Sequence, residues 1–449
     1  MTKILLRGGR LIDPSDGTDE TLDLLVVDGA IASRGSGIER PSDALIVDAT
    51  GKVVAPGLVD MHVHLREPGR EDEETIASGA AAAAHGGVTS LAAMPNTDPP
   101  IDTPSWVEYV KNAEAAVRVH PIAATTVGRK GENLTEMAEL AEAGAVAFSD
   151  DGSPVRSALV MRRALEYAAM VGRPIISHSE DTDLAANGVM NEGLASTIAG
   201  LKPVPAAAEE IAVSRDIILA GATGARLHVA HVSTAGSVEL VRRAKADGIA
   251  VTCETCPHYF TLNDNDVRSY DTNLRVNPPL RGEADVAAIV RGISDGTIDA
   301  IASDHAPHSI EEKQVEFDAA PPGMIGLETL LPLTTTHLVR KGAIDLPRAV
   351  ELLSTRPASI LGIEAGTLAP GAPGDVAVID PDWTWKLSGD WIRSKSKNSP
   401  FVGATLLGRV VLTLSRGEIA FEEERHAGGS AVADHQEAPA ERQDIPVRS

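Results

Sequence analysis

Only two cysteines occur in 449 residues, Cys253 and Cys256, which excludes a disulfide framework. Their C-x-x-C spacing falls short of a closed structural zinc site, which needs two more soft ligands nearby. A thioredoxin-like site would need a different strand–helix context, so we read the spacing as coincidence. Aromatic residues make up only 3%, yet the apolar fraction is 43%, dominated by Ala, Val, Leu and Ile, and a packed core is expected. Positive charge is scarce: 40 Lys and Arg face 64 Asp and Glu, a formal net charge of −24. Nucleic acid and anionic membranes are bound through clustered Lys and Arg, and no long basic run exists, so neither is an expected partner. No apolar run is long enough to span a bilayer. The start, Met1-Thr2-Lys3-Ile4-Leu5-Leu6-Arg7, turns polar too soon for a signal peptide. A cytoplasmic location is expected.

The length allows one large barrel plus a smaller domain, or two or three ordinary domains. Residues 1–55 read as short strands separated by turns: Ile4–Arg7, Leu22–Val27 before Asp28-Gly29, and Ala44–Val47 before Ala49-Thr50-Gly51. That texture returns at Asp375–Ile379 and Ala404–Leu414. We therefore expect a small β-sandwich assembled from both termini, residues 1–55 plus 365–422. The Ala-, Glu- and Gly-rich tail, 423–449, has no apolar periodicity and is expected to be disordered.

Between the ends, over residues 56–364, short apolar strands alternate with Ala-rich helices. The strand candidates are Leu58–His64, Thr89–Met94, Pro121–Thr126, Ala145–Ser149, Pro174–His178, Leu227–His231, Ala250–Cys253 and Asp299–Ser303. Helices such as Thr75–His85, Thr135–Ala143 and Ser157–Val171 each end at a glycine, a common helix stop. Eight such repeats predict a (β/α)8 TIM barrel, with a doubly wound open sheet as competitor.

The polar residues favour the barrel. Strand alternation puts Asp60, His62 and His64 on one face, with Val59, Met61 and Val63 on the other. Two imidazoles on one face suit zinc and its transition-metal neighbours. Other strands also end in chemistry: Asn96, Asp150-Asp151, His178, His231 and Asp304. In a barrel these C-terminal ends converge on one mouth.

These residues carry a family resemblance. Asp60-x-His62-x-His64, single histidines on the fifth and sixth strands, and Asp304 on the eighth resemble the amidohydrolase superfamily. Within it, His64-Leu65-Arg66-Glu67-Pro68-Gly69, Met94-Pro95-Asn96-Thr97, Phe148-Ser149-Asp150-Asp151-Gly152 and Ser303-Asp304-His305-Ala306-Pro307-His308 resemble the type I, long bacterial dihydroorotases. The resemblance runs from about residue 3 to residue 422. It implies an α/β fold, a distorted (β/α)8 barrel with a terminal β-sandwich, and a site for Zn2+, two ions per subunit or one. By that resemblance His62 and His64 hold the first ion, His178 and His231 the second, and Asp151 bridges them. Asp304 ligates the first and acts as general acid/base. His64, Arg66, Asn96, Asn277, His308 and the Pro322-Gly323 backbone contact substrate, Arg66 and Asn96 gripping its carboxylate. Pro322 stands where relatives often have phenylalanine. The implied reaction interconverts dihydroorotate and N-carbamoyl-L-aspartate in pyrimidine biosynthesis; a homodimer and association with aspartate transcarbamoylase are implied partners.

Two other classes compete. A hydantoinase, dihydropyrimidinase or allantoinase would be expected to bridge its metals with a carboxylated lysine, where this chain has Asp150-Asp151, and Arg66 is best explained by an acidic substrate. An inactive scaffold homologue should have lost ligands, and none is missing.

Overall fold

The computed structural model describes residues 2–423. The expected disordered tail lies, Glu423 apart, outside the described residues. The chain opens with β1 (Lys3–Asp13), β2 (Thr18–Val27), β3 (Ala30–Gly35), β4 (Leu45–Asp48) and β5 (Val53–Pro56). It then enters a run of parallel strands: β6 (Leu58–Val63), β7 (Val88–Ala93), β8 (Arg118–Ala124), β9 (Ala147–Ser149) and β10 (Ile175–Ser177). A short ribbon, β11 (Met190–Asn191) with β12 (Pro203–Val204), precedes β13 (Leu227–Val229), β14 (Val251–Thr255) and β15 (Ala300–Ile301). The chain returns through β16 (Val376–Lys386), β17 (Thr405–Ser415) and β18 (Glu418–Glu422).

The eight strands expected of a barrel are all present, hydrogen-bonded in the order β6-β7-β8-β9-β10-β13-β14-β15. Closure comes just past the last of them. Val63 forms a parallel bridge to His305, and the His64 amide donates to the His305 carbonyl at 2.9 Å. Helices Ile76–His85, Met137–Ala143 and Ala158–Met170 follow their strands, the first and last capped by Thr75 and Ser157. Their apolar sides, for example Leu140, Leu165 and Ala168, join strand residues such as Leu91 and Phe148 in the largest core. One local expectation fails. The β6–β7 register slips between Asp60 and Val63, so Val63 packs with Leu58 rather than with Val59 and Met61.

Strands from the two ends form one mixed sheet, ordered β18-β17-β16-β5-β1-β2-β3, with β4 also pairing β1. Ile4, Leu24, Val47, Val376 and Leu412 share one core, so the sheet folds its apolar face upon itself. Neither end could build it alone, because β16 pairs with β5. The cysteines are free, buried thiols. Among the described residues, no helix is long and apolar enough to cross a membrane.

Gly57 is the single residue between sheet strand β5 and barrel strand β6. Its amide donates to the Asp375 carbonyl at 3.0 Å and its carbonyl accepts from Ser354 Oγ at 2.7 Å. A Cβ there would overlap the Thr89 side chain. Gly57→Ala should therefore destabilise the fold by about 1–3 kcal/mol, the usual cost of overpacking, read as a lower urea midpoint with unchanged slope.

Candidate metal centre

The C-terminal ends of the barrel strands bring the sequence-predicted residues to one place. His62 is the penultimate residue of β6 with His64 just beyond its end, Asp151 follows β9, His178 follows β10, and His231 and Asp304 stand two and three residues past β13 and β15. Asp151 Oδ1 lies 3.4 Å from His62 Nε2, 3.5 Å from His178 Nδ1 and 3.6 Å from His231 Nε2. Its Oδ2 is 3.6 Å from His64 Nε2. One carboxylate thus stands between two imidazole pairs. Asp304 Oδ1 lies 3.2 Å from His64 Nε2 and 3.5 Å from His62 Nε2.

The donor set fits metal ions. His62, His64 and Asp304 form one group, and His62, Asp151 and His231 another, each with its ligand atoms within 4.8 Å of one another. His62 Nε2 and Asp151 Oδ1 are buried without a hydrogen-bond partner, although both point into this cluster. Buried polar atoms are normally satisfied, and a cation between them would satisfy both. His178 Nδ1 is 2.9 Å from His231 Nε2, a contact that two bare lone pairs would not make without a proton or a cation.

Electrostatics separate the two adjacent aspartates. Burial opposes ionisation of Asp151, but His62, His178 and His231 outweigh it and hold its carboxyl well below the usual range. Burial instead raises Asp150, despite hydrogen bonds from the Thr126 amide, at 3.0 Å, and hydroxyl. Asp151 therefore faces the cluster while Asp150 is tied to the loop after β8. Burial, with a smaller push from the Glu254 charge, carries Asp60 to about 6 against the hydrogen bonds it accepts; its Oδ1 accepts from the Ser303 amide at 3.1 Å, pinning β6 to the segment after β15. Three non-glycine residues at the mouth, Arg66, His231 and Asp304, adopt positive φ of 59°, 34° and 48°. Such strain persists only where the surroundings over-determine it and clusters at functional sites.

A cavity of about 190 Å³ opens onto the cluster, lined by every other predicted site residue; His62 alone lies beneath it, fully buried. Arg66 Nε lies 3.0 Å from Glu73 Oε2 and donates to the Pro307 carbonyl at 3.0 Å. Its partner is thus a buried acid. His308 Nδ1 is 2.9 Å from Glu73 Oε1, and its Nε2 is 3.0 Å from the Pro322 carbonyl. Asn96 Oδ1 lies 2.7 Å from His64 Nδ1, so besides lining the cavity it orients that ring. Asn277 Nδ2 is 3.4 Å from His178 Nε2. The Gly323 amide donates to the Arg275 carbonyl at 2.8 Å. With φ at 141° and Ala306 against it, position 323 needs glycine.

The sequence reading missed the supporting residues. Glu254 Oε1 lies 2.7 Å from His62 Nδ1, and Thr126 and Glu73 hold Asp150 and Arg66. A glutamate inside a buried strand, Val251-Thr252-Cys253-Glu254-Thr255, was the available signal.

The comparisons with known proteins agree with this geometry. A family model described as dihydro-orotase-like matches residues 51–237. A dihydroorotase of Geobacter sp. (strain M21) is 54% identical over 93% of this chain and 99% of its own length. One from Pelotomaculum thermopropionicum is 52% identical over 94% and 99%. The chain belongs to the dihydroorotase family. It is an amidohydrolase of the cyclic-amide class. Among solved structures, the L-hydantoinase from Arthrobacter aurescens is 29% identical, covering 94% of this chain and 96% of that one, with a TM-score of 0.84. The dihydropyrimidinase from Brevibacillus agri is 25% identical with a TM-score of 0.82, covering 94% and 95%. Dihydroorotase-family sequence thus sits on a backbone shared with hydantoinases.

The aspartate pair gives a prediction. Asp151→Ala should lower bound metal per subunit and abolish activity. Asp150→Ala should keep its metal and lose about 10–100-fold in rate, as supporting residues typically do. Metal analysis of both purified variants checks the assignment; the reverse pattern would reverse it.

Proposed function

We propose that this chain is a zinc-dependent dihydroorotase that reversibly hydrolyses dihydroorotate to N-carbamoyl-L-aspartate. The observation that carries the reading is Asp151 between two imidazole pairs at the floor of a cavity that also holds Arg66 and His308. His62 and His64 would hold one ion with Asp304, His178 and His231 a second, and Asp151 would bridge them; a single ion is the alternative occupancy. Bound there, zinc would acidify water toward a pKa near 7 and polarise the scissile carbonyl. The residues do the rest.

Arg66 offers a planar guanidinium to the substrate carboxylate, a two-pronged geometry that lysine does not reproduce. His308 lies beside it, 3.3 Å from Arg66 Nη2. Asp304 accepts a proton as water oxygen bonds to the ring carbonyl carbon, and delivers it to the ring nitrogen as the carbon–nitrogen bond breaks. The reverse path closes the ring. Family membership supports a cytoplasmic enzyme of pyrimidine biosynthesis; a homodimer and association with aspartate transcarbamoylase follow from the family resemblance alone. A hydantoinase reading, suggested by the shared backbone, leaves Arg66 without a substrate charge to meet.

Two measurements test this. Arg66→Ala should cost about 2–5 kcal/mol of transition-state binding for dihydroorotate, a fall in kcat/KM of roughly thirtyfold to several thousandfold. A change within about threefold would remove Arg66 from the pocket. Asp304→Asn should fold and bind substrate while turnover drops about 10²–10⁴-fold, because an amide cannot carry the proton. Turnover near wild type would exclude the general acid/base role.

A further inference from the structure

Glu254 lies in β14 with no solvent exposure, and no step of the reaction above uses it. Its Oε1 is 2.7 Å from His62 Nδ1, and its Oε2 is 3.3 Å from Nε2 of His228, another fully buried side chain. His228 Nδ1 in turn lies 2.8 Å from Thr252 Oγ1. Although β13 and β14 are hydrogen-bonded neighbours, β14 and β6 are not, so Glu254 meets His62 through the inside of the barrel. A carboxylate buried this deeply persists only when hydrogen-bonded or charge-paired, and here its hydrogen-bonded partner is His62 on β6, with His228 of β13 near its other oxygen.

The two histidines of β6 and its end are held unequally. His64 Nδ1 meets the neutral amide oxygen of Asn96, whereas His62 Nδ1 meets a carboxylate, both at 2.7 Å. In each ring the nitrogen facing the cluster is Nε2. We propose that Glu254 is a positioning residue for the metal centre. It accepts a hydrogen bond from the Nδ1–H of His62, fixes the tautomer that leaves the Nε2 lone pair free, and makes that imidazole the stronger ligand of the two. His228 stands 3.3 Å from the other carboxylate oxygen without hydrogen-bonding to it, so the link from Glu254 to the cluster runs through His62. A carboxylate behind a ligating histidine raises its basicity and fixes its plane. The inference rests on the reading of His62 as a ligand.

The test is zinc affinity of the stripped protein, titrated against a competing chelator, with no substrate present. Glu254→Gln keeps the shape and an acceptor oxygen but removes the charge, and should weaken zinc binding by about 10–100-fold. In a His62→Ala background the same substitution should change affinity by less than about threefold, because the ring it acts through is gone. Wild-type affinity in Glu254→Gln, or an equal loss in both backgrounds, overturns the proposal. If Glu254→Gln fails to fold, Glu254→Asp keeps the charge but draws the carboxylate back from His62 Nδ1. A loss beyond threefold then supports the role, and no loss overturns it. Wild-type protein that takes up no zinc overturns the metal-centre reading itself, and this inference with it.

Discussion

The arrangement at the barrel mouth depends on one carboxylate. Asp151 lies within 3.6 Å of nitrogens from His62, His64, His178 and His231, residues carried by three different strands or their ends. Imidazole lone pairs turned toward one another in a buried space need a proton or a cation between them, and a buried carboxylate needs donors or cations around it. The adjacent Asp150 shows how directional the solution is, since the loop hydroxyl of Thr126 holds it away from the cluster.

Around that centre, barrel strands divide the labour. The ends of β6, β9, β10, β13 and β15 present the cluster itself, while Thr126 in the loop after β8 ties Asp150 away from it and Glu254 in the body of β14 holds His62. Glu73 does the same for the cationic side of the cavity, meeting both Arg66 and His308 while itself almost fully buried. The left-handed backbone at Arg66, His231 and Asp304 fits this picture: side chains are aimed where the site requires, and hydrogen bonds around them offset the strain.

The mixed sheet ties both chain ends to the barrel. Gly57 joins the two bodies covalently, Thr413 Oγ1 donates to the Ala84 carbonyl at 2.7 Å, and Val410 packs in the barrel's main core. The helix after β6 therefore rests on β17, from the far end of the sequence, which helps fix the strand that carries His62. Backbone likeness to hydantoinases extends over both bodies, so architecture alone does not distinguish the two kinds of enzyme.

The sequence by itself determined the elements and the chemistry of the site. Strand alternation, glycine helix stops and polar residues at strand ends are local signals, because each depends on neighbours a few positions apart. They sufficed for eight barrel strands and for the polar residues at their ends, whereas Asn277, His308 and Pro322-Gly323 came from the family resemblance. Tertiary structure decided what depends on distance across the barrel. Which of Asp150 and Asp151 faces inward turned on a hydroxyl from the loop after β8. The partner of Arg66 turned on how the segment after Pro68 folds back, and that of His62 on a glutamate almost two hundred positions away. The register slip in β6 likewise arises where Asp60 meets Ser303 and Val63 meets His305, contacts that exist only once the barrel closes. A side chain's identity limits what it can bond, but only the closed barrel brings its partner within reach.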